Sequence, residues 1–455
     1  MIIKFSSIVF KTGIFITTLF FALNIKMPVL YKIRQWEVEI LLLLLSLNSF
    51  LLYKNILKDK NRRAFKIIKK CELAVIIFVS FFSLSIFSYN HYQHNAVREV
   101  ILNADKDQLE KIGKHFIIGY RDDNFSDIQE LVKRRAIGGV YLTKRNIKGK
   151  TSFEIKKEIE ILQNIQRGNN LPDLLIATDQ EGGLVSRFSP PLTQLPTLST
   201  IVKDSKSDKE LRLKVVEYAE LQSRELSDIG INLNFSPVVD LKNSSIEQVL
   251  NLHTRTDLRA ISNDKDIVTK VALIYSRISE KNRVIPTLKH FPGLAMVSED
   301  THLFEGKLKV NENYLSKNDW VPFRTISKKT GAFIMLGHVI LEKMDRDSLV
   351  SCSKTIVKSI IREKWNHTGI LITDDLNMGP VVKSKGGIGG FSVRSLNAGV
   401  DYLLISYDGE QYYKAINSVI NADNNGSLDN SVLNNSNLRI TKLSKNNREP
   451  LITAF

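Results

Sequence analysis

From residue 108 onward, short apolar runs rich in β-branched residues alternate with longer stretches whose apolar positions recur every three or four residues. The short runs are HFIIGY (115–120), GGVYLT (138–143), LLIAT (174–178), INLNFS (231–236), VIPTLK (284–289), AFIML (332–336), GILIT (369–373) and DYLLIS (401–406). Amphipathic stretches such as SFEIKKEIEILQNIQ and VVEYAELQSRELSDIG lie between them. Strands separated by helices pair in parallel. Eight such units over about 300 residues predict an α/β chain folded as a (β/α)8, TIM-type barrel. A doubly wound open sheet is the competing architecture, but no glycine-rich phosphate loop follows the first run. The Asn/Ser-rich segment 421–437 predicts a loop leading into a last short helix, LRITKLSK.

Residues 1–94 follow a different pattern. Three apolar stretches, FKTGIFITTLFFALNI (10–25), VEILLLLLSLNSFLLY (38–53) and ELAVIIFVSFFSLSIFSYN (72–90), open the chain. A spanning helix needs about 20 mostly apolar residues. The first reaches that length only when it starts near residue 5 and Lys11 snorkels toward the headgroups. It lacks a small-residue cleavage site, so an uncleaved span is preferred over a signal peptide. The expectation is a membrane module at 1–94, with transmembrane helices at about 5–25, 38–53 and 72–90, ahead of a barrel domain at 95–455. The connector 54–70 holds eight basic residues and one acid. Such loops stay cytoplasmic, which would place a multi-pass protein in the cytoplasmic membrane, its barrel facing outside and its helices partnered by lipid.

Charge fits this division. The net charge is +16, and residues 1–94 hold 13 Lys/Arg against 4 Asp/Glu. No basic helix, zinc spacing or aromatic ribonucleoprotein motif follows, so a nucleic-acid partner is not expected. The two cysteines, Cys71 and Cys352, exclude a disulfide framework and a C-x-x-C metal site.

In such barrels the chemistry sits where strands end. LLIAT leads into Asp179, Gln180, Glu181, Gly182 and Gly183. INLNFS leads to Pro237 and Asp240, VIPTLK to His290, AFIML to His338, and GILIT to Asp374 and Asp375. One acid at a strand end is often only a helix cap; five of eight ends carrying acids or histidines exceeds what capping requires. No His/Cys/Asp cluster has metal-ligand spacing, which favours acid/base chemistry with neither metal nor cofactor. The loop KHFPGLAMVSEDTH (289–302) gathers a lysine, two histidines and two acids around a Phe-Pro-Gly turn.

In order and spacing, ATDQEGGLVSRF, GINLNFSPVVDL, LKHFPG followed by DTH, and ITDDLNM resemble the family 3 glycoside hydrolases, and within them the single-barrel β-N-acetylglucosaminidase branch. The resemblance runs from about Lys111 to the end of the chain. It implies a retaining, exo-acting glycosidase acting on N-acetylglucosamine-containing glycans, with peptidoglycan-derived sugars suggested by the expected outward placement. It implies Asp374 as nucleophile, and His302 with Asp300 as the acid/base pair. Asp179, Arg187, Lys289, His290 and Arg259 would hold sugar hydroxyls. Glu181, Asp240 and Asp375 would bond neighbouring loops, and His338 would be a packed barrel-end histidine. One departure stands out: the branch usually reads His-Gly-Asp-Thr after KHFPG, where this chain has Leu294, Ala295, Met296 and Val297.

The residue types suit the chemistry. A histidine titrates near 6.5 and remains a proton donor at neutral pH with no shift, whereas an ordinary aspartate does not. Two other readings stay open: a glycan-binding protein on a barrel that has lost its activity, favoured by the altered loop, and a phosphorolytic or transferase relative.

Overall fold

The computed structural model describes residues 63–120, 125–242, 255–406 and 408–446, together with 17, 40, 42–44, 46–47 and 50. It divides into two compact units, Met1–Val100 and Ile101–Phe455.

In the larger unit eight parallel strands close a barrel: β1 (Phe116–Gly119), β2 (Gly139–Tyr141), β3 (Leu175–Thr178), β4 (Leu233–Asn234), β5 (Ile285–Phe291), β6 (Phe333–Leu336), β7 (Leu371–Asp375) and β8 (Tyr402–Ile405). Each pairs with the next in sequence, and β8 closes on β1 with Ile117 opposite Leu404. Every strand starts within one of the eight apolar runs; β5 and β7 run two residues past theirs, to Phe291 and Asp375. Alternate residues point inward, and the lumen is filled by Ile117, Tyr141, Leu175, Ala177, Leu233, Phe235, Ile285, Phe333, Met335, Ile372, Tyr402 and Leu404. Tyr141 stacks on Phe235 at 5.7 Å and Phe333 on Tyr402 at 5.9 Å. Ile440 of the last helix packs onto this cluster. A second apolar cluster includes the buried faces of helices Asp208–Asp228, Lys265–Lys281 and Trp320–Ser327 with Leu288, Ile334 and Leu371 of the strands.

Helix starts follow their capping residues. Thr151 and Glu154 form a capping box ahead of Ser152–Gly168, and Ser207 caps Asp208–Asp228. The expected loop at 421–437 is mostly helix. Glu410–Asn424 breaks only at the turn around Gly426 (φ +75°), and Asp429 then caps Asn430–Asn446 by accepting from the amides of Ser431 and Val432. Most of the Asn and Ser side chains therefore lie on exposed helix faces.

The expected membrane helices are overturned. Among the described residues no helix is long and apolar enough to cross a membrane. The stretch at 72–90 lies in one helix, Arg63–Leu102, of 40 residues. Its described apolar positions are broken by Ser83, Ser85 and Ser88, and it runs on through His91, Gln93, His94, Arg98 and Glu99, leaving its described apolar part short of the length a span requires. The stretch at 5–25 lies outside the described residues apart from Thr17, and that at 38–53 is described only in part. The multi-pass placement, the outward-facing barrel and the lipid partner fall with the helices that implied them.

Candidate functional site at the barrel mouth

The inward alternation that fills the lumen continues to the strand ends. Counting by twos, Tyr141 follows Gly139 on β2, Asp179 follows Leu175 and Ala177 on β3, Lys289 follows Ile285 and Thr287 on β5, and Asp374 follows Ile370 and Ile372 on β7. These four form the top layer of the barrel. The ladders shift register between Leu288 and Phe291 where β5 meets β6, and between Ile372 and Asp375 where β7 meets β8. Such irregularities re-aim side chains beside active sites; here they flank Lys289–His290 and Asp374.

Four charges interlock on one side of the mouth. Lys289 Nζ, almost fully buried, donates to Asp179 Oδ1 at 2.5 Å and lies 2.6 Å from Glu181 Oε1. Arg259 clamps Glu181 with both arms of its guanidinium, at 2.6 and 2.9 Å. Tyr141 Oη donates to the other oxygen of Asp179 at 2.5 Å. Burial works to raise the Glu181 carboxyl, but Arg259 and Lys289 outweigh it and hold the group far below the usual carboxylate range. The same pairing, working against burial, raises the Arg259 guanidinium. Arg187 joins this corner through the hairpin Gln180–Gly182/Val185–Ser186, which its amide closes on Asp179 O at 3.1 Å. Gly182 sits at φ +90°, and a Cβ there would lie 2.2 Å from Tyr218 Oη and 2.3 Å from Pro196 O, so no other residue fits.

His290 is held from behind. Val239 N donates to Lys289 O at 2.9 Å, which lays the segment after β4 beside β5. That contact brings the buried Asp240 under the imidazole. Asp240 Oδ2 accepts from His290 Nδ1 at 2.7 Å and from His290 N at 3.1 Å, while Oδ1 accepts from Leu294 N at 2.8 Å. Phe291 locks the turn from the other face, stacking on Trp320 at 5.5 Å and meeting Phe323 and Trp365 edge-on at 5.4 and 5.6 Å.

The departure in the loop has a structural outcome. Leu294, Ala295 and Val297 are buried, Leu294 and Val297 within the core cluster around Phe291 and Trp320; Met296 alone of the four faces outward. Apolar burial thus fastens the loop where the family pattern is polar. Farther along, Asp300 Oδ1 accepts from His302 N and bonds His302 Nδ1, both at 3.1 Å. Asp300 is sealed at 1% side-chain exposure while His302 keeps 29%. The Gly379 amide, just beyond β7, donates to His302 O at 2.8 Å and ties this loop to the strand carrying Asp374.

Asp374 is partly exposed at the mouth. Burial works to raise its carboxyl, but His290 and His302 outweigh that together with the Asp375 amide, which donates to Asp374 Oδ1 at 2.8 Å; the carboxyl is held below its ordinary value. Its neighbour Asp375 has the opposite character. It turns inward to accept from Ser406 N, Ser406 Oγ and Asn377 N at 2.8, 2.7 and 3.1 Å, and burial lifts its pKa to about 6 despite those bonds. Adjacent aspartates with divergent environments separate an ionised, accessible carboxylate from a structural one.

The structure therefore brings Asp179, Lys289, His290, Asp374 and the Asp300–His302 pair to one end of the barrel, with Arg187 and Arg259 at its edge. Glu181 is the centre of the charge cluster, shared by two cations. Tyr141 and Asp240 were not singled out for these contacts in the sequence. The period-2 count along β2 points to Tyr141; nothing local points from Asp240 to His290. Among the described residues no group of three or more His, Cys, Asp or Glu side chains is arranged to hold a metal ion.

Comparison with known proteins fits this geometry. The profile of the glycosyl hydrolase family 3 N-terminal domain matches residues 102–443. A β-hexosaminidase of Neisseria meningitidis serogroup C (strain 053442) is 30% identical over 276 residues, covering 59% of this chain and 71% of that protein. A β-hexosaminidase of Xylella fastidiosa (strain M12) is 30% identical over 275 residues, covering 60% and 77%. Among solved structures, a family 3 β-N-acetylglucosaminidase from Paenibacillus sp. FPU-7 superposes with a TM-score of 0.66 at 24% identity, over 76% of this chain and 64% of that one.

Proposed function

Because the chain belongs to glycoside hydrolase family 3 and is a glycoside hydrolase of the β-N-acetylhexosaminidase type, we propose that it removes terminal β-linked N-acetylglucosamine by a two-step, configuration-retaining mechanism. Asp374 attacks the anomeric carbon. His302, with Nδ1 committed to Asp300, presents Nε2 to the glycosidic oxygen and protonates it as the leaving group departs. The same imidazole, now neutral, takes a proton from the water that hydrolyses the glycosyl–Asp374 ester. Asp179, Arg187, Lys289 and His290 hold the sugar hydroxyls, while Arg259 acts on that corner through Glu181.

The observation that carries this reading is the electrostatic convergence on Asp374. A nucleophile must be ionised at working pH, and His290 and His302, with the Asp375 amide that donates to Asp374 Oδ1, favour that state. The adjacent donor is a histidine, the side-chain type best suited to exchange a proton near neutral pH. A peptidoglycan origin for the glycan followed from an outward-facing placement; without that placement the geometry favours no particular polymer.

The test is turnover of the purified full chain on a panel of aryl β-glycosides in phosphate and phosphate-free buffers. Preferential release from the N-acetylglucosaminide, with free sugar as product, is expected. Binding without release would favour a glycan-binding barrel, and a sugar 1-phosphate in phosphate buffer would mark phosphorolysis.

A further inference from the structure

His338 lies two residues beyond β6 and is fully buried, yet both ring nitrogens are bonded. Nδ1 lies 2.7 Å from Ser351 Oγ and Nε2 lies 3.1 Å from the main-chain oxygen of Asp375, while the ring meets Phe391 edge-on at 5.5 Å. A carbonyl only accepts, so Nε2 carries the proton and donates to Asp375, and the Ser351 hydroxyl donates to Nδ1. Burial lowers the imidazole pKa more than the nearby Asp374 raises it, in keeping with this neutral tautomer.

The three residues so joined belong to the two moving parts of the proposed reaction. On one side, the Asp375 peptide is the support of Asp374: its N–H donates to Asp374 Oδ1 at 2.8 Å, and its C=O takes the His338 bond alongside one from Met378 N at 3.1 Å. On the other side, the chain leaves His338 into Val339–Leu341, which pairs in parallel with Gly306–Leu308, Val339 opposite Gly306. Gly306 lies four residues past His302. The same small sheet returns through Asp345–Leu349 to Ser351, so the His338–Ser351 bond closes the base of the arm that holds the acid/base loop.

We infer that His338 is a positioning residue that sets Asp374 against the loop bearing Asp300 and His302, with Ser351 fixing the tautomer that lets it do so. It acts through the Asp375 peptide on one side and the Val339–Gly306 pairing on the other, and touches neither sugar nor reacting atoms. This inference rests on Asp374 being the nucleophile.

A dinitrophenyl N-acetylglucosaminide needs no protonation of its leaving group, so its first step reads nucleophile placement alone. With the full chain, His338→Leu should lower kcat/KM on this substrate on the order of 100-fold, the loss expected of a misplacement near 1 Å, and more on a disaccharide, which also needs the loop. KM should change little. His338→Gln, whose amide can still donate to Asp375 O, should recover most of the loss, and Ser351→Ala should show a smaller loss of the same kind. Circular dichroism and thermal unfolding at assay temperature establish that each variant is folded. A folded His338→Leu with wild-type kcat/KM on the dinitrophenyl substrate, or a folded His338→Gln no better than His338→Leu, would overturn the inference. Where His338→Leu fails to fold, the Gln and Ala variants decide: both at wild-type activity would equally overturn it. Asp374→Asn in the same assay separates the two readings, because activity there removes the nucleophile assignment itself, whereas an inactive Asp374→Asn beside normal His338 variants refutes only the role of His338.

Discussion

Asp300 and His302 bond each other across a sharp gradient of exposure: the carboxylate oxygen at 3.1 Å from Nδ1 is sealed inside the loop, while nearly a third of the imidazole faces the barrel mouth. In the proposed mechanism the acid orients the ring, and the ring exchanges a proton with the sugar that occupies the mouth.

Replacing His302 with Ala should therefore penalise poor leaving groups selectively. General acid catalysis contributes about 100- to 10,000-fold, so a loss of that order is expected on a disaccharide, while the first step on a dinitrophenyl glycoside is nearly spared. Azide should restore turnover of the activated substrate, since it needs no general base. Equal losses on both substrates with no azide rescue would make His302 structural.

Asp374→Asn should bring turnover to background while leaving the fold intact. The amide oxygen still accepts the Asp375 N–H, so the local geometry persists, but the amide cannot form the glycosyl ester. Full activity in a folded variant would remove Asp374 from this role.

Glu181 holds the charge cluster together, and removing it should cost stability rather than one chemical step. Glu181→Ala strips the Arg259 guanidinium of its bidentate carboxylate and Lys289 of one of two, beneath the surface. Breaking a buried pair in this way typically costs about 3–5 kcal/mol. Urea unfolding of the variant measures it; a change under about 1 kcal/mol would mean that the cluster relaxes into solvent.

Leu294 tests the apolar fastening of the loop. Leu294→Ala empties part of a packed site beside Phe291, at a typical cost of about 2–5 kcal/mol, and should speed hydrogen exchange at the amides of residues 295–305. Unchanged exchange there would show that the bonds to Asp240 and Gly379 hold the loop unaided.

Asp375 predicts a signed pH effect. Its carboxyl titrates at about 6 in the fold against 3.8 ordinarily. Between these values the folded state binds the extra proton, so this group's contribution to stability falls as pH rises from about 4 to about 6, by on the order of 3 kcal/mol, and stays lost above that. Asp375→Asn lacks this slope. Urea titrations from pH 4 to 7 should show the wild type losing ground to the variant; parallel curves would contradict the burial argument.

What the sequence by itself determined is local or periodic. Eight apolar runs separated by helical stretches specify a parallel barrel because strand and helix periods are written residue by residue, and the inward count by twos carries Asp179, Lys289 and Asp374 to the mouth. Asp300 and His302, two residues apart, meet through a single turn, a pairing that the resemblance to the family 3 glycoside hydrolases implied. Tertiary structure alone decided the partnerships between distant segments. Glu181 shared by Lys289 and Arg259, Tyr141 on Asp179, Asp240 beneath His290 and His338 on the Asp375 peptide all depend on which strands become neighbours and how far the ladders shift, and no local propensity encodes that. Apolar composition misled for the related reason that length and interruption decide whether a helix spans a bilayer: the stretch at 72–90 is part of a longer helix that runs on into polar residues. At Leu294–Val297 the same composition marks core, because Phe291 and Trp320 are there to receive it.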